Sequence, residues 1–193
     1  MGVVGRRVET AAKHLIENDF ENALIQLSIA IDATAKNKWP HLNGRGHTGD
    51  RIKKFLKEYE TLILQFTTEG FFRAPPGALS IPVSIPGTSS VPDSIPEILY
   101  LSIRNSLIHG SEYSEYFIID PDIVGFGVEN GKPIFSLGIV YGLLFSVVVD
   151  VSNKSEFCDP GLVVEIGGSS IVINEMWGNL TKLEKLTGFA KYI

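Results

Sequence analysis

Residues 20–36 of the chain read FENALIQLSIAIDATAK, and this stretch decides the fold. Apolar side chains recur along one helical face, while Ile25 and Ile29 place apolar side chains on the opposite face. A helix that is apolar on two sides belongs in the middle of a bundle. Asp32 lies within the stretch, so its carboxylate is predicted to be either a buried acid with a partner or an ordinary exposed one. The residues of the main apolar face are Ala23, Leu24, Leu27, Ala30, Ile31 and Thr34.

Further helices are predicted on both sides of this central one. Residues 3–18 and 51–67 each place apolar side chains at three- and four-residue spacing. Trp39-Pro40 ends the central helix, because proline disfavours helical geometry in the residue before it. Asp50 is a suitable N-cap for the helix over 51–67.

A helix over about 95–109 follows a proline-rich loop, residues 70–93. Ser94 and Glu97 stand in the spacing of a capping box, in which each side chain satisfies a free amide of the first turn. Gly110 then provides a C-terminal cap. Loops of this length inside a compact domain are usually mobile or functional.

The C-terminal part mixes strand and helix signals. Residues 117–135 contain the turn Asn130-Gly131, and residues 162–173 contain Gly167-Gly168, so each is predicted to form a β-hairpin. Residues 137–151 are long enough for a buried helix, although the valines near their end favour a strand, and we predict a helix. Asn174 is expected to cap a last helix that ends near Leu186.

These patterns predict one mainly α domain over residues 1–193 with β-hairpin decorations in its C-terminal part. The helical bundle covers residues 3–153 and includes the loop 70–93 and the hairpin 117–135. The hairpin and helix within 160–187 form an appendage to that bundle.

Charge is unevenly distributed along the chain. The formal net charge is −5, which argues against a large phosphate-binding surface. Residues 36–57, however, include seven basic residues and only one acidic residue, Asp50. A solvated helix face and an anion-binding surface both explain such a cluster. The candidate RNA-binding residues within it are Arg51, Lys53, Lys54 and Lys57.

Several protein classes are disfavoured by composition. Cys158 is the single cysteine, so an internal disulfide is excluded. The longest apolar run, residues 137–149, is shorter than the roughly 20 residues that a membrane span needs. No secretory signal is visible at the N-terminus, and a cytoplasmic location is predicted. His41 and His47 flank a glycine turn without further ligands at metal-binding spacing, so no metal site is expected.

Residues 104–110 read RNSLIHG and carry the candidate chemistry. On a helix, Ser102, Asn105 and His109 fall within about 60° of one another and form a polar strip. Arg104 lies about 140° round the helix from His109, so the two side chains need a partner helix or a second subunit to act together. A polar strip on a packing helix is costly unless it is partnered, which favours a function over simple exposure.

Arginine, asparagine, three residues, histidine and glycine near the end of a bundle helix resemble the signature of the HEPN superfamily. The resemblance implies a HEPN-like helical bundle and a homodimer in which the motifs of two subunits meet across a cleft. It implies an endoribonuclease that needs no metal or cofactor and cleaves RNA by attack of the 2′-hydroxyl on the adjacent phosphate. A toxin or phage-defence role, with an antitoxin or other partner protein, belongs to the same set of expectations.

Side-chain chemistry suits this reaction. Imidazole titrates near neutral pH, so His109 could act as general acid or base. Arg104 could stabilise the charge that builds on the phosphate oxygens, and Asn105 could orient the imidazole or hold the phosphate. Asp32 and Ser102 are candidate supporting residues, Asp32 as an ion-pair partner that orients Arg104.

Each of these residues also has a purely structural interpretation. His109 could simply end its helix, Arg104 could form a surface ion pair, and Asn105 could bond to backbone. The alternative function is therefore a catalytically inactive HEPN-like module that binds RNA or protein.

Overall fold

The computed structural model describes residues 1–44, 46–70, 94–101 and 117–189, and within them the protein is mainly α-helical. This confirms the predicted class. The helices are α1 (Val3–Ile16), α2 (Phe20–Lys38), α3 (Thr48–Glu58), α4 (Glu60–Thr67), α5 (95–101), α6 (Gly138–Val149) and α7 (Leu180–Thr187). The strands are β1 (Ile118–Asp120), β2 (Phe126–Glu129), β3 (Lys132–Ser136), β4 (Val163–Ile166) and β5 (Ser169–Val172). Short 3-10 helices cover Pro40–Leu42, Val151–Asn153 and Ile173–Glu175.

Helix α2 lies at the centre of the bundle, as its two apolar faces predict. It packs against α1, α3 and α6. Its main face is buried, and Ile25 and Ile29 on the other side are half-buried. The Asp19 side chain caps the helix by accepting a hydrogen bond from the Asn22 amide at 3.3 Å. The helix ends at the residue before Trp39-Pro40, as expected.

The predicted helix within residues 137–151 is confirmed as α6, and its closest partner is α4. Two glycines, Gly138 and Gly142, face α4 without side chains. A Cβ on Gly142 would lie 2.7 Å from the Cα of Ile63, and one on Gly138 would clash with the Phe66 carbonyl. The two backbones can approach this closely only because both residues are glycine. No helix in the described ranges is both long and apolar enough to cross a lipid bilayer.

The prediction of one continuous helix over 51–67 was wrong, because α3 ends at Glu58 and α4 begins at Glu60. Tyr59 between them has φ −99° and ψ 8°, outside helical geometry. The bend brings the Tyr59 hydroxyl to the carboxylate of Asp150, 3.0 Å away. The predicted N-cap was also wrong: His47 occupies that position, and Asp50 lies within the first turn of α3.

The first hairpin is part of a larger sheet. Strands β2 and β3 pair antiparallel around Asn130 and Gly131, both with positive φ, as the sequence predicts. Strand β1 pairs parallel with β3, giving the order β1-β3-β2. The predicted hairpin over 117–135 is therefore corrected to a three-stranded mixed sheet.

The second hairpin is confirmed as β4-β5 around Gly167-Gly168. The expected cap of the last helix was wrong, because Asn179 caps α7 by accepting from the Lys182 amide at 3.0 Å. Asn174 instead accepts from the Cys158 amide at 2.7 Å and donates to the Cys158 carbonyl at 2.9 Å. Its side chain thus holds the segment before β4.

The N-terminus of α1 is closed by a distant carboxylate. The Glu156 side chain accepts hydrogen bonds from the Gly2 and Gly5 amides at 2.7 and 3.1 Å. These amides have no partner within the helix, so Glu156 takes the place of an N-cap side chain. A Cβ on Gly5 would lie 2.5 Å from the Phe157 carbonyl, so the segment 156–157 lies directly against the helix.

One hydrophobic core joins the bundle and the C-terminal elements. Val164 on β4, Ile171 on β5 and Leu183 on α7 belong to the same buried cluster as the residues of α1 to α6. The C-terminal hairpin and α7 therefore share the interior of the bundle.

Replacing Gly142 by alanine is expected to lower the free energy of unfolding by about 2 kcal/mol, a typical cost of overpacking. The added methyl group would meet the backbone of Ile63, which cannot move aside as a flexible side chain would. Urea unfolding followed by circular dichroism measures the change. Gly127→Ala is the matched control, because its Cβ would meet only the Ile134 side chain at 3.5 Å. Equal midpoints for Gly142→Ala and the wild type would contradict the proposed backbone contact.

Candidate functional site

The motif residues Ser102, Arg104, Asn105 and His109 lie outside the described residues, and so does the rest of the predicted motif helix beyond residue 101. Its first part, α5, begins directly after Ser94, where the sequence predicts the start of the helix. The Ser94 carbonyl accepts the first helical hydrogen bonds, from the Glu97 and Ile98 amides, each at 3.1 Å.

Helix α5 is anchored in the core and lies across the start of α3. Ile95, Ile98 and Leu99 are buried. On the α3 side, Gly49 leaves room for the Tyr100 hydroxyl, which a Cβ at that position would meet. The start of the motif helix is therefore fixed against the first turns of the helix that carries the basic residues.

The predicted RNA-binding lysines on α3 lie in two different environments. Lys54 and Lys57 are exposed. Lys53 is half-buried, with its Nζ 3.6 Å from a Glu97 carboxylate oxygen and 4.8 Å from the centroid of the Tyr100 ring. The Nζ of Lys54 lies 4.6 Å from the centroid of the Trp39 ring, within the range of a cation–π contact. Two of the four predicted RNA-binding side chains are thus exposed to solvent.

Arg51 lies inside the protein, which corrects its predicted place on an RNA-binding surface. Its side chain is only 2% exposed. The guanidinium donates to one Asp32 oxygen from Nε at 3.1 Å and from Nη2 at 2.7 Å, and to the Leu42 carbonyl at 2.9 Å. Nη2 also lies 3.2 Å from the Thr48 hydroxyl. Arg51 therefore joins α2, the segment after it and α3 through one planar group.

Asp32 has two cationic partners within the described part of the chain. Its second oxygen lies 2.8 Å from Lys36 Nζ, one turn further along α2. The sequence suggested Arg104 as a partner; Arg104 lies outside the described residues, and among these the partners of Asp32 are Arg51 and Lys36. Helical spacing contained the signal, because Arg51 precedes Phe55 by four residues and so shares the buried side of α3.

A second polar network, which sequence reasoning missed, lies at the ends of α2 and α6. Asp150 is fully buried and accepts from Lys38 Nζ at 2.7 Å, from the Tyr59 hydroxyl and from the Ser152 amide and hydroxyl at 2.8 and 2.6 Å. Lys38 also bonds to Glu58. The sequence did contain a signal for this network. Asp150 directly follows a 13-residue apolar run, and an acid buried at that position requires partners.

The network sets the ionisation of its members. Burial alone would raise the pKa of Asp150, but hydrogen bonds from Lys38 and Ser152 outweigh burial and hold that pKa below its ordinary value. Burial opposes the charge of Lys38 as well, and its hydrogen bonds to Asp150 and Glu58 nevertheless raise its pKa. Burial, followed by the charge of Asp150, raises the pKa of Tyr59, so this phenol remains a donor.

Metal ligands are not grouped anywhere in the described ranges: no three histidine, cysteine, aspartate or glutamate side chains come together there. His41 is exposed, and His47 lies 3.5 Å from Asp50 at the surface. Cys158 is buried, which raises the pKa of its thiol to about 12 and leaves it unreactive as a nucleophile.

The fold and its polar networks define a mainly α-helical protein with two small β-sheets, in which a basic helix lies beside the start of the motif helix. The chain belongs to the Rv1289 family, whose sequence profile matches residues 3–193. No curated protein and no solved structure matches it.

Arg51→Lys is expected to lower the free energy of unfolding by about 2 kcal/mol, since an ammonium group cannot reproduce the fixed fork of donors. The Asp32 carboxylate and the Leu42 carbonyl would each lose a partner. Chemical denaturation of the two proteins measures the difference. Lys54→Arg, the reverse exchange at an exposed position of the same helix, is expected to change stability little. If both variants unfold like the wild type, Arg51 does not join α2 to α3.

Asp150→Asn is expected to cost about 3 kcal/mol, because it leaves Lys38 without its buried counter-charge. Since the pKa of Asp150 is lower in the folded protein, its contribution is present at neutral pH and is lost as pH falls through that lowered value. The difference in unfolding free energy between the wild type and Asp150→Asn should therefore shrink in acid. Denaturation from pH 7 down to about pH 2 tests both statements, and a constant difference across that range would contradict the ionisation argument.

Proposed function

We propose that this protein is a metal-independent endoribonuclease whose site forms in a homodimer from Arg104, Asn105 and His109 of two copies. One observation carries the proposal. The basic helix α3 presents Lys54 and Lys57 to solvent, and α5, which leads into the motif, lies across the start of the same helix.

The motif begins only a few residues after the part of α5 that contacts α3. Only three positions separate Leu101, the last described residue of α5, from Arg104. An RNA strand whose phosphates contact Lys54 and Lys57 would approach the region into which α5 leads. Lysine ammonium groups bind phosphate oxygens without regard to base sequence, which suits the positioning of a backbone.

The interior networks support this arrangement indirectly. Arg51 and Asp32 join α2 to α3, so the lysines stand on a helix fixed at its first turns. Lys53 binds Glu97 and contacts Tyr100, which ties α5 to the same helix. Rigid placement matters here, because a cleavage site must hold its groups in reacting geometry.

The reaction follows from the chemistry of the motif residues. A histidine acting as general base removes the proton of a ribose 2′-hydroxyl, whose oxygen then forms a bond to the adjacent phosphorus. The bond from phosphorus to the 5′-oxygen breaks, and a protonated histidine gives its proton to that leaving oxygen. Because the motif contains one histidine, two copies of His109 in a dimer would divide the two roles. The products are a 2′,3′-cyclic phosphate and a free 5′-hydroxyl.

Arg104 and Asn105 would act on charge and orientation. A guanidinium facing the phosphate stabilises the charge that gathers on its non-bridging oxygens, with two parallel donors. Asn105, one turn before His109, would fix the imidazole or hold a phosphate oxygen. Ser102, on the same strip of the predicted helix, would be a supporting donor. Asp32 acts further away, through Arg51.

Purified wild-type protein is expected to cleave a mixed-sequence RNA in EDTA and to leave cyclic-phosphate ends. His109→Ala and Arg104→Ala should each lower the rate by about 100-fold or more, as expected for loss of an acid–base or electrostatic group. Gel analysis with end-group mapping measures both rate and product. His41→Ala, at an exposed histidine, is the matched control and should cleave like the wild type.

Lys54→Glu and Lys57→Glu are expected to weaken RNA binding and to flatten its dependence on salt, while Lys185→Glu on α7 leaves both unchanged. Folded wild type that binds RNA through these lysines without cleaving it would replace the enzyme with the alternative, an inactive RNA-binding module. Folded protein that neither binds nor cleaves RNA would refute the proposal.

A further inference from the structure

One cavity among the described residues is lined by none of the described residues of α3 or α5. Its volume is about 450 Å³, in the range of pockets that bind small molecules. The end of α4, the start of α6, the tip of the β4-β5 hairpin and the end of α7 enclose it. Its aromatic walls are Phe66, Tyr141 and Phe189, and further apolar surface comes from Ile123, Leu137 and Ile166.

Among the described residues, the charged side chains on the walls of this cavity are all acidic. Glu69 and Glu165 both line it, and none of its lining residues within the described ranges is basic. The C-terminal ends of α4 and α7 also reach it, at Glu69 just after α4 and at Thr187. Helix C-termini carry partial negative charge, which adds to that of the two carboxylates.

Three polar side chains on the walls can bond a ligand: the carboxylates of Glu69 and Glu165, both exposed, and the half-buried Tyr141 hydroxyl. In the described part of the chain, no ion pair engages Glu69 and no hydrogen bond engages the Tyr141 hydroxyl. Burial raises the pKa of Tyr141, so its hydroxyl stays protonated and neutral. Glu165 accepts one hydrogen bond, from Ser170 at 2.6 Å, which leaves its other oxygen open. Ser136, by contrast, is already committed to the Thr67 carbonyl at 2.6 Å.

The position of Glu69 is itself unusual. Its φ is +50°, a left-handed conformation that is rare outside glycine and asparagine. The turn is held by hydrogen bonds from the Glu69 amide to the Phe66 carbonyl and from the Gly70 amide to the Gln65 carbonyl.

We propose that this cavity binds an organic cation: a primary amine or guanidinium carried on an aromatic or aliphatic body. The cationic group would lie between Glu69 and Glu165, and the apolar body would contact Phe66, Tyr141 and Phe189. Aromatic rings also attract cations through their faces, so the walls and the carboxylates select for the same ligand chemistry. This proposal does not rest on the proposed ribonuclease function.

Isothermal titration of the full chain at low ionic strength tests the proposal with two probes of matched shape. Tryptamine carries an ammonium on an indole body, whereas indole-3-propionate carries a carboxylate. Tryptamine is expected to bind, and indole-3-propionate is expected to bind at least about ten-fold more weakly, because two carboxylates repel it.

Variants locate the binding. Glu69→Gln and Glu165→Gln should each weaken tryptamine about five-fold, as expected for part-exposed ion pairs. Glu129→Gln, an exposed glutamate on β2 outside the cavity, is the matched control and should bind like the wild type. Ser169→Phe fills the cavity while keeping both carboxylates, and it should abolish binding in a protein whose circular dichroism is unchanged.

Three results would each overturn the proposal. They are no tryptamine binding by the wild type, equal or tighter binding of the anionic probe, and unchanged affinity in both glutamine variants. None of these results depends on whether the protein cleaves RNA.

Discussion

The contact between the backbones of α4 and α6 is the constraint on which the rest of the structure depends. Gly138 and Gly142 let α6 lie directly against α4, so that a predominantly apolar helix can be buried along most of its length. The same approach places the end of α4 beside β3, where the Thr67 carbonyl accepts from Gly125 and Ser136. Both sheets, α7 and the cavity between them are positioned by this pair of helices.

Charged groups inside the protein join elements that the hydrophobic core alone would leave free to slide. Hydrophobic contact is non-directional, whereas a planar guanidinium or a buried carboxylate accepts partners only in fixed directions. Arg51 fixes α3 relative to α2, and Asp150 fixes the end of α6 relative to the ends of α2 and α3. The outer lysines of α3 thus stand on a helix with a defined orientation.

Local patterns were enough to predict most of the elements, and long-range pairings were not. The two apolar faces of α2, the length of α6 and the turns Asn130-Gly131 and Gly167-Gly168 were interpreted correctly because each signal lies within a few residues. The break at Tyr59 and the parallel pairing of β1 depend on partners distant in sequence, such as Asp150. For the candidate site, counting charges grouped Arg51 with its neighbouring lysines, while helical rotation separates it from them. The roles of Arg104, Asn105 and His109 stay predictions.

The cap that Glu156 provides to α1 has a consequence for the order in which the protein can fold. The hydrogen bonds from Gly2 and Gly5 span 154 and 151 positions of the chain. At roughly 5–20 residues per second of synthesis, the first turn of α1 waits on the order of 10–30 s before its acceptor exists. Any helix that α1 forms during that interval has an open N-terminal end, which Glu156 closes only late in synthesis.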